Sequence, residues 1–178
     1  TDKVYIISGS MDKTIKVWDV SDGTCVNTFT GHSNTVTSVS TFTDSKTDKV
    51  YIVSGSGDVT IKVWDASDGT CIKTLTHSDW VESVSTFTDS KTDKVYIVSG
   101  SYDETIKVWD ASDGTCIKTL NGHSRVVSSV SVEGVFSVSD PIKPEAAGVV
   151  AMLSRMHIEC AIVTGDNIET ARAIASEC

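Results

Sequence analysis

The chain has 178 residues, 39% of them hydrophobic, a mean hydropathy of −0.01 and a formal net charge of −9. That length admits one domain or two small ones, and the composition excludes a disordered chain. The acidic balance, with no run of Lys or Arg, argues against a nucleic-acid binder, because phosphates require a basic face; the carboxylates fall in turn-like segments and read as solvated surface.

In chain order, the first element is a unit that recurs. The segment TDKVYI opens at Thr1, Thr47 and Thr92, a period of 45–46 residues, and SGS-x-D, TIKVWD and SDGTC follow it each time. Three Trp-Asp pairs result: Trp18-Asp19, Trp64-Asp65 and Trp109-Asp110. A period of this size predicts a repeat architecture rather than one globular core. Thr1 already lies inside a repeat, so the chain reads as a fragment or a processed product. No leader peptide is visible in the polar start, and no apolar run approaches the roughly 20 residues that cross a bilayer.

Each unit reads as four short strands rich in Val, Ile, Thr, Tyr and Phe. In the second unit they are predicted at 35–42, 49–54, 60–65 and 71–75. Turns are predicted at Thr43-Asp44-Ser45-Lys46, Gly55-Ser56-Gly57-Asp58 and Ser67-Asp68-Gly69. The Asp-Gly pairs at 22–23, 68–69 and 113–114 are hairpin signals. The run VYIVSGS lacks alternation, which suits a strand covered on both faces.

Several elements recurring in order at fixed spacing make this region resemble the WD40 repeat family of β-propellers. They are Gly31-His32, the degenerate Thr76-His77, Gly122-His123, the SGS-x-D turns and the three Trp-Asp pairs, over about residues 1–133. The resemblance implies a buried hydrogen-bonded network of His, turn Asp and strand Trp in each blade. His32, Asp58 and Trp64 form one set, and His77, Asp103 and Trp109 another. Asp12 and Trp18 have no His ahead of them, and His123 has no Asp and Trp after it. A His and an Asp per unit could instead form a catalytic relay or a metal site. Identical repetition favours the structural role, since catalytic sites rarely recur along one scaffold and buried polar groups need partners. No catalytic residue, metal site or cofactor is assigned to the chain on this reading.

About three blades are fewer than the roughly 4–8 of closed propellers. An incomplete propeller exposes edges, so self-association is expected. The partners expected are other proteins, with no nucleic acid and no membrane segment. TIKVWDASDGTCIKTL is unchanged between 60–75 and 105–120, while Gly57/Tyr102, Val59/Glu104 and the residues after each Leu differ. Trp80 and Tyr102, in such turns, are the candidate partner contacts; packing against the next blade is the alternative for Trp80. Cys25, Cys71 and Cys116 occupy one equivalent repeat position. With Cys160 and Cys178 they read as reduced thiols in a cytosolic setting, there being no Cys/His metal spacing.

The period vanishes after about Gly134. A strand is predicted at 135–140, and Pro141 and Pro144 bracket a turn, Pro144 opening a helix. Ala146, Val149, Val150, Leu153 and Met156 form a helical stripe. A second strand follows at 158–163, then the turn Thr164-Gly165-Asp166-Asn167, then a helix at 168–177 with Asp166 and Glu169 as a capping box. The pattern is strand–helix–strand–helix, a small α/β fragment. The fold class expected is therefore mainly β, an incomplete propeller at 1–133 followed by an α/β piece at 134–178.

VSDPIKPEA followed by VTGDNIETARAIA resembles the phosphorylation domain of P-type cation-transporting ATPases, leaning to the heavy-metal, copper-type subgroup. The resemblance implies that Thr164 and Gly165 contact a phosphoryl group and that Asp166, with Asn167 beside it, supports the loop. A strand end feeding a helix N-terminus suits an anion. Asp140, Pro141 and Lys143 would belong to the hinge between nucleotide and phosphorylation domains. The DKTGT and GDG-x-ND segments of that family are absent from the chain, and phosphoryl transfer needs several groups together. No ATPase activity is expected of the chain itself; ATP and Mg would belong to a parent transporter, on the cytosolic face of its membrane. A junction of two unrelated exons is the third explanation of this composite.

Overall fold

The computed structural model describes residues 3–132, which lie within one unit bounded by Thr1 and Glu133. The predicted elements at 135–177, and with them Asp140, Pro141, Lys143, Thr164, Gly165, Asp166 and Asn167, lie outside the described residues. The described chain is built from eleven antiparallel strands in three sheets. The first sheet has three strands, β1 (Tyr5–Gly9), β2 (Ile15–Asp19) and β3 (Cys25–Phe29). The second has four: β4 (Val36–Asp44), β5 (Lys49–Ser56), β6 (Thr60–Asp65) and β7 (Cys71–Thr76). The third repeats it with β8 (Val81–Asp89), β9 (Lys94–Ser101), β10 (Ile106–Asp110) and β11 (Cys116–Leu120). The architecture is mainly β, with sheets of three and four strands as the repeat implies.

Two predicted turns are shorter than the sequence suggested. Thr43 and Asp44 belong to β4, paired with Val50 and Lys49, and the Asp44 carboxylate caps the turn by accepting from Lys46 N and Thr47 Oγ1. Gly55 and Ser56 belong to β5, opposite Ser38 and Val36. The Asp-Gly pairs also close their turns differently from a two-residue hairpin. Only the glycines have positive φ, 72° at Gly23, 77° at Gly69 and 82° at Gly114. Gly69 N donates to Asp65 O and Asp65 N to Thr70 O, which makes a longer turn.

The sheets share two kinds of irregularity. Val63 pairs with Lys73 but Trp64 with Cys71, so Ile72 is an extra residue on β7 and points outward, as Val26 and Ile117 do in the other sheets. Such a bulge re-aims the side chains beside it, here the Trp. On the first strand, Thr37 is the extra residue, and its hydroxyl donates to Gly55 O and to Val81 O of the next sheet.

The core lies between sheets. Ile15, Phe29, Val36, Ile52 and Trp64 fill the space between the first and second. Val53, Ile61, Val63, Leu75, Val81, Val84, Ile97, Trp109 and Ala111 fill that between the second and third. The second sheet is covered on both faces, and Ile52 to Ser56 of β5 are all buried, as the missing alternation predicted. Close approach is made possible by one glycine per unit. A Cβ on Gly9, Gly55 or Gly100 would lie 2.6, 2.8 or 2.7 Å from a methyl of Val36, Val81 or Val127.

Candidate functional site

The side chains singled out by the repeat meet at one end of each sheet, and β5 positions the first set. Ser54 is fully buried, with its hydroxyl turned toward β6 and the segment before β4. Trp64 Nε1–H donates to Ser54 Oγ at 2.9 Å, and Ser54 Oγ lies 2.7 Å from His32 Nε2. His32 Nδ1 lies 2.8 Å from Asp58 Oδ2. Every proton in this chain has one sensible direction: indole to hydroxyl, hydroxyl to imidazole, imidazole to carboxylate. That assigns a neutral His32 carrying its proton on Nδ1.

Asp58 is fully committed. Oδ2 also accepts from Ser33 N at 2.9 Å, and Oδ1 accepts from Thr60 N at 3.1 Å and Thr60 Oγ1 at 2.6 Å. The third sheet repeats the pattern. Trp109 donates to Ser99 at 2.9 Å, Ser99 meets His77 at 2.7 Å, and His77 meets Asp103 at 2.8 Å. Thr105 N and Oγ1 donate to Asp103 Oδ1.

The local sequence builds these sets. The turn SGS-x-D folds back so that Asp58 N donates to Ser56 Oγ, and the residue after the Asp takes a left-handed conformation: Lys13 (φ 73°), Val59 (φ 66°) and Glu104 (φ 66°). For a β-branched Val59 this is a strained backbone. The Asp bonds on either side hold it there. Gly31, with φ 144°, sits where a Cβ would come within 3.2 Å of the Trp64 ring.

The first sheet keeps only part of the set. Trp18 Nε1–H donates to Ser8 Oγ at 2.9 Å, and Asp12 accepts from Thr14, with no His beside them among the described residues. His123 is exposed and is not brought to any Asp or Trp of the described residues. Sequence reasoning missed Ser8, Ser54 and Ser99, the hydroxyls that join Trp to His, and Thr60 and Thr105. Their signal was present: these positions do not vary among the three copies.

Burial pushes His32 and His77 below 6.5, against the pull of Asp58 and Asp103. Burial pushes the Asp58 carboxyl up, but the Thr60 hydroxyl, the Ser33 amide and His32 together outweigh it and hold the group at about 2. The imidazole is therefore neutral and the carboxylate ionised near neutral pH. Both ring nitrogens and all near lone pairs are spoken for, so neither group presents a free base to solvent. Groups of three or more His, Cys, Asp or Glu able to hold a metal are absent among the described residues.

These shifts set a pH dependence. The unfolded chain takes up protons at about 6.5 that the buried histidines refuse, so their contribution is complete above 6.5 and is lost as pH falls through the lower folded values. The urea midpoint is expected to drop between pH 7 and 5. A further loss follows below 3.8, as Asp58 and Asp65, both held at about 2, take up protons. A midpoint independent of pH from 7 to 5 overturns the assignment.

The Asp of each Trp-Asp pair has a different task. Asp65 is held at about 2 by the Ser67 hydroxyl and by Lys49, whose ammonium is 2.9 Å away. Lys3–Asp19 and Lys94–Asp110 repeat the contact at 2.8 and 3.3 Å. These carboxylates close the β2–β3, β6–β7 and β10–β11 turns.

The candidate contact residues lie on the turns at the His/Asp end. Trp80 and Tyr102 meet edge to face at 5.8 Å, are 42% and 43% exposed, and are tied by Tyr102 N donating to Trp80 O. A Cβ on Gly57 would lie 3.1 Å from the Trp80 ring, so the indole packs on the preceding sheet's turn while keeping a face in solvent. Cys25, Cys71 and Cys116 are exposed free thiols.

A family model described as "WD domain, G-beta repeat" matches residues 1–19, 23–65 and 69–110. The Lissencephaly-1 homolog of Branchiostoma floridae is 54% identical over 35 residues, 20% of this chain and 9% of that protein. Copper-transporting ATPase HMA5 of Oryza sativa subsp. japonica is 50% identical over 52 residues, 29% of this chain and 5% of that protein. Plasma membrane calcium-transporting ATPase 4 of Bos taurus is 38% identical over 58 residues, 33% of this chain and 5% of that protein. The chain thus spans less than a tenth of the length of each of these relatives. With the family match covering more than half of its residues, and with the repeated strand order and turns behind it, the chain belongs to the WD40 repeat family.

Proposed function

We propose that the chain is a protein-interaction scaffold whose partner-facing surface is the cluster of turns carrying Trp80 and Tyr102. The observation that supports it best is the division of labour within the repeat. The strands are copied almost without change, while the turn positions differ and hold half-exposed aromatic rings. Aromatic residues anchored on one side and wet on the other are the usual hot spots of protein interfaces. The His, Ser, Asp and Trp sets then act as fixed ties that hold the turns in place, and the reading calls on no catalytic residue, metal or cofactor. Placing a photo-crosslinking amino acid at Tyr102 is expected to give a discrete protein adduct in cells. The same group at Ile72, equally exposed but on a strand bulge, is expected to give none. Equal labelling from both positions overturns the reading.

A second reading is favoured by the matches to copper- and calcium-transporting ATPases. On it the chain is part of a cation transporter joined to WD40 repeats, with ATP and Mg used by the parent. Thr164, Gly165, Asp166 and Asn167 would then serve a phosphoryl group, and Asp140, Pro141 and Lys143 a hinge. Full-length transcript sequencing separates the two: continuation into GDG-x-ND and membrane helices supports the transporter, and continuation into further WD40 units supports the scaffold.

A further inference from the structure

At the junction of the second and third sheets, two turns keep the backbone of their copies and change its side chains. Tyr102 N donates to Trp80 O at 2.8 Å, as Gly57 N does to Thr35 O at 3.0 Å. Ser101 Oγ donates to Asp79 O at 3.2 Å, as Ser56 Oγ does to Asn34 O at 3.2 Å. Asp103 N is held by Ser101 Oγ, and Glu104 N by Ser101 O. The frame is copied and fixed, so its changed side chains are free to serve something other than the fold.

The change has one direction. Where the second sheet's frame carries Asn34, Thr35, Gly57 and Val59, the third carries Asp79, Trp80, Tyr102 and Glu104. Two aromatic rings and two carboxylates enter together. The rings meet at 5.8 Å and 61°, which makes a corner rather than a flat patch. One oxygen of Asp79 accepts from Trp80 N at 2.7 Å. Its other oxygen, and both of Glu104, meet no donor among the described residues. Glu82, two residues past Trp80, adds a half-buried carboxylate. Asp103 is occupied by His77, Ser78 and Thr105. No Lys or Arg occurs in 77–82 or 101–105. The strand lysines nearby are engaged: Lys62 donates to Thr74 Oγ1, and Lys107 lies over the Trp109 ring at 5.5 Å. Arg125, at the repeat position of Asp79, belongs to the connection after the third sheet. The corner is aromatic and negative, and no countercharge meets it among the described residues.

We propose that this corner seats an arginine side chain from an extended, basic segment of the partner protein. The proposal rests on the scaffold reading and names the chemistry that this surface takes. A cation over an aromatic face is attracted by the ring quadrupole, most strongly over Trp. Arginine fits better than lysine. Its flat guanidinium stacks on a ring while its N–H groups donate to carboxylates, and it is the more weakly hydrated cation. The corner needs little ordering on binding, because four hydrogen bonds already fix the two turns. An acidic segment is repelled by the same carboxylates.

The test titrates the isotopically labelled full chain with a short Gly-Ser peptide carrying two arginines. The indole N–H signal of Trp80 is identified by its loss in Trp80→Thr. The peptide is expected to move that signal and to leave those of the buried Trp64 and Trp109 in place. Raising salt from about 0.1 M to about 1 M shortens the screening length from about 10 Å to about 3 Å and is expected to weaken binding. The variant with Asp79→Asn, Trp80→Thr, Tyr102→Gly and Glu104→Val carries at each position the residue of the preceding copy. It is expected to fold, with unmoved Trp64 and Trp109 signals, and to bind about tenfold more weakly or worse. Peptides with lysine or glutamate in place of arginine need no variant. Lysine is expected to bind several-fold more weakly and glutamate not at all. Equal binding of the arginine and lysine peptides, or unchanged binding to the variant, overturns the proposal. A protein adduct from the Tyr102 photo-crosslinker without peptide binding overturns the arginine assignment and leaves the scaffold reading standing. Absence of both overturns the two together.

Discussion

Replacing Trp64 by alanine is expected to cost about 3–5 kcal/mol of folding stability, the usual range for removing a buried Trp from a core. The indole is 2% exposed. It stacks on Phe29 at 6.0 Å, meets His32 edge-on at 5.8 Å and covers Gly31. Its loss opens a cavity between the first and second sheets and leaves Ser54 without its indole donor. Trp18→Ala provides the comparison. It removes the same side chain from the same repeat position, but Trp18 is only half buried and its Ser8 meets no His. A cost smaller by about 1–2 kcal/mol is expected there, from less area withdrawn from water. Urea unfolding of both variants decides it. A Trp64→Ala cost below about 1 kcal/mol overturns the view that the intersheet layer carries the fold, since whole domains are stable by only about 5–15 kcal/mol.

That comparison also shows what could be read from the sequence and what could not. The period, the strand content and the strand positions of the second unit were legible, because turn chemistry and β-branched runs act locally. Burial was not. TIKVWDASDGTCIKTL occurs twice unchanged, yet Leu75 is 6% exposed and Leu120 is 41%. A Cβ on Gly114 of the third sheet would lie 2.9 Å from Leu75, so the next sheet supplies the cover, and local sequence has no term for it. The exposed Val26, Ile72 and Ile117 were hidden for a related reason. They are apolar by composition and outward by a bulge, which is a property of the pairing between two strands.

The His, Asp and Trp of each set were visible as residue types, but the atom that joins them was not. The serine inside VYIVSGS is the same in all three copies, but that constancy names no partner, and its role depends on β5 bringing it under both the indole and the imidazole. Thr60 was overlooked for the opposite reason. It looks like an ordinary strand residue, and it works through a turn bond to Asp58 two positions back.

Ser54→Ala is therefore expected to be a costly single-atom deletion, matched in the described region by Ser99→Ala at the equivalent position. The hydroxyl oxygen is buried, accepts from Trp64 and serves His32, so its removal strands one donor and one acceptor away from water. Each stranded group costs about 1–3 kcal/mol, which gives about 2–6 kcal/mol in all. Ser8→Ala removes the same oxygen where only Trp18 depends on it and the site is partly open. About 0.5–1.5 kcal/mol is expected there, the ordinary net worth of one hydrogen bond. The two residues occupy the same repeat position, so the difference isolates the imidazole arm. A double-mutant cycle sharpens the point. Once His32 is already alanine, Ser54→Ala has no imidazole left to strand, and an interaction energy of about 1–3 kcal/mol between the two changes is expected. Equal costs for Ser54→Ala and Ser8→Ala, or strict additivity in the cycle, would mean that His32 merely fills space. The 2.7 Å approach of its Nε2 to the hydroxyl argues that it does more: it connects the turn that carries Asp58 to the strand that carries Trp64.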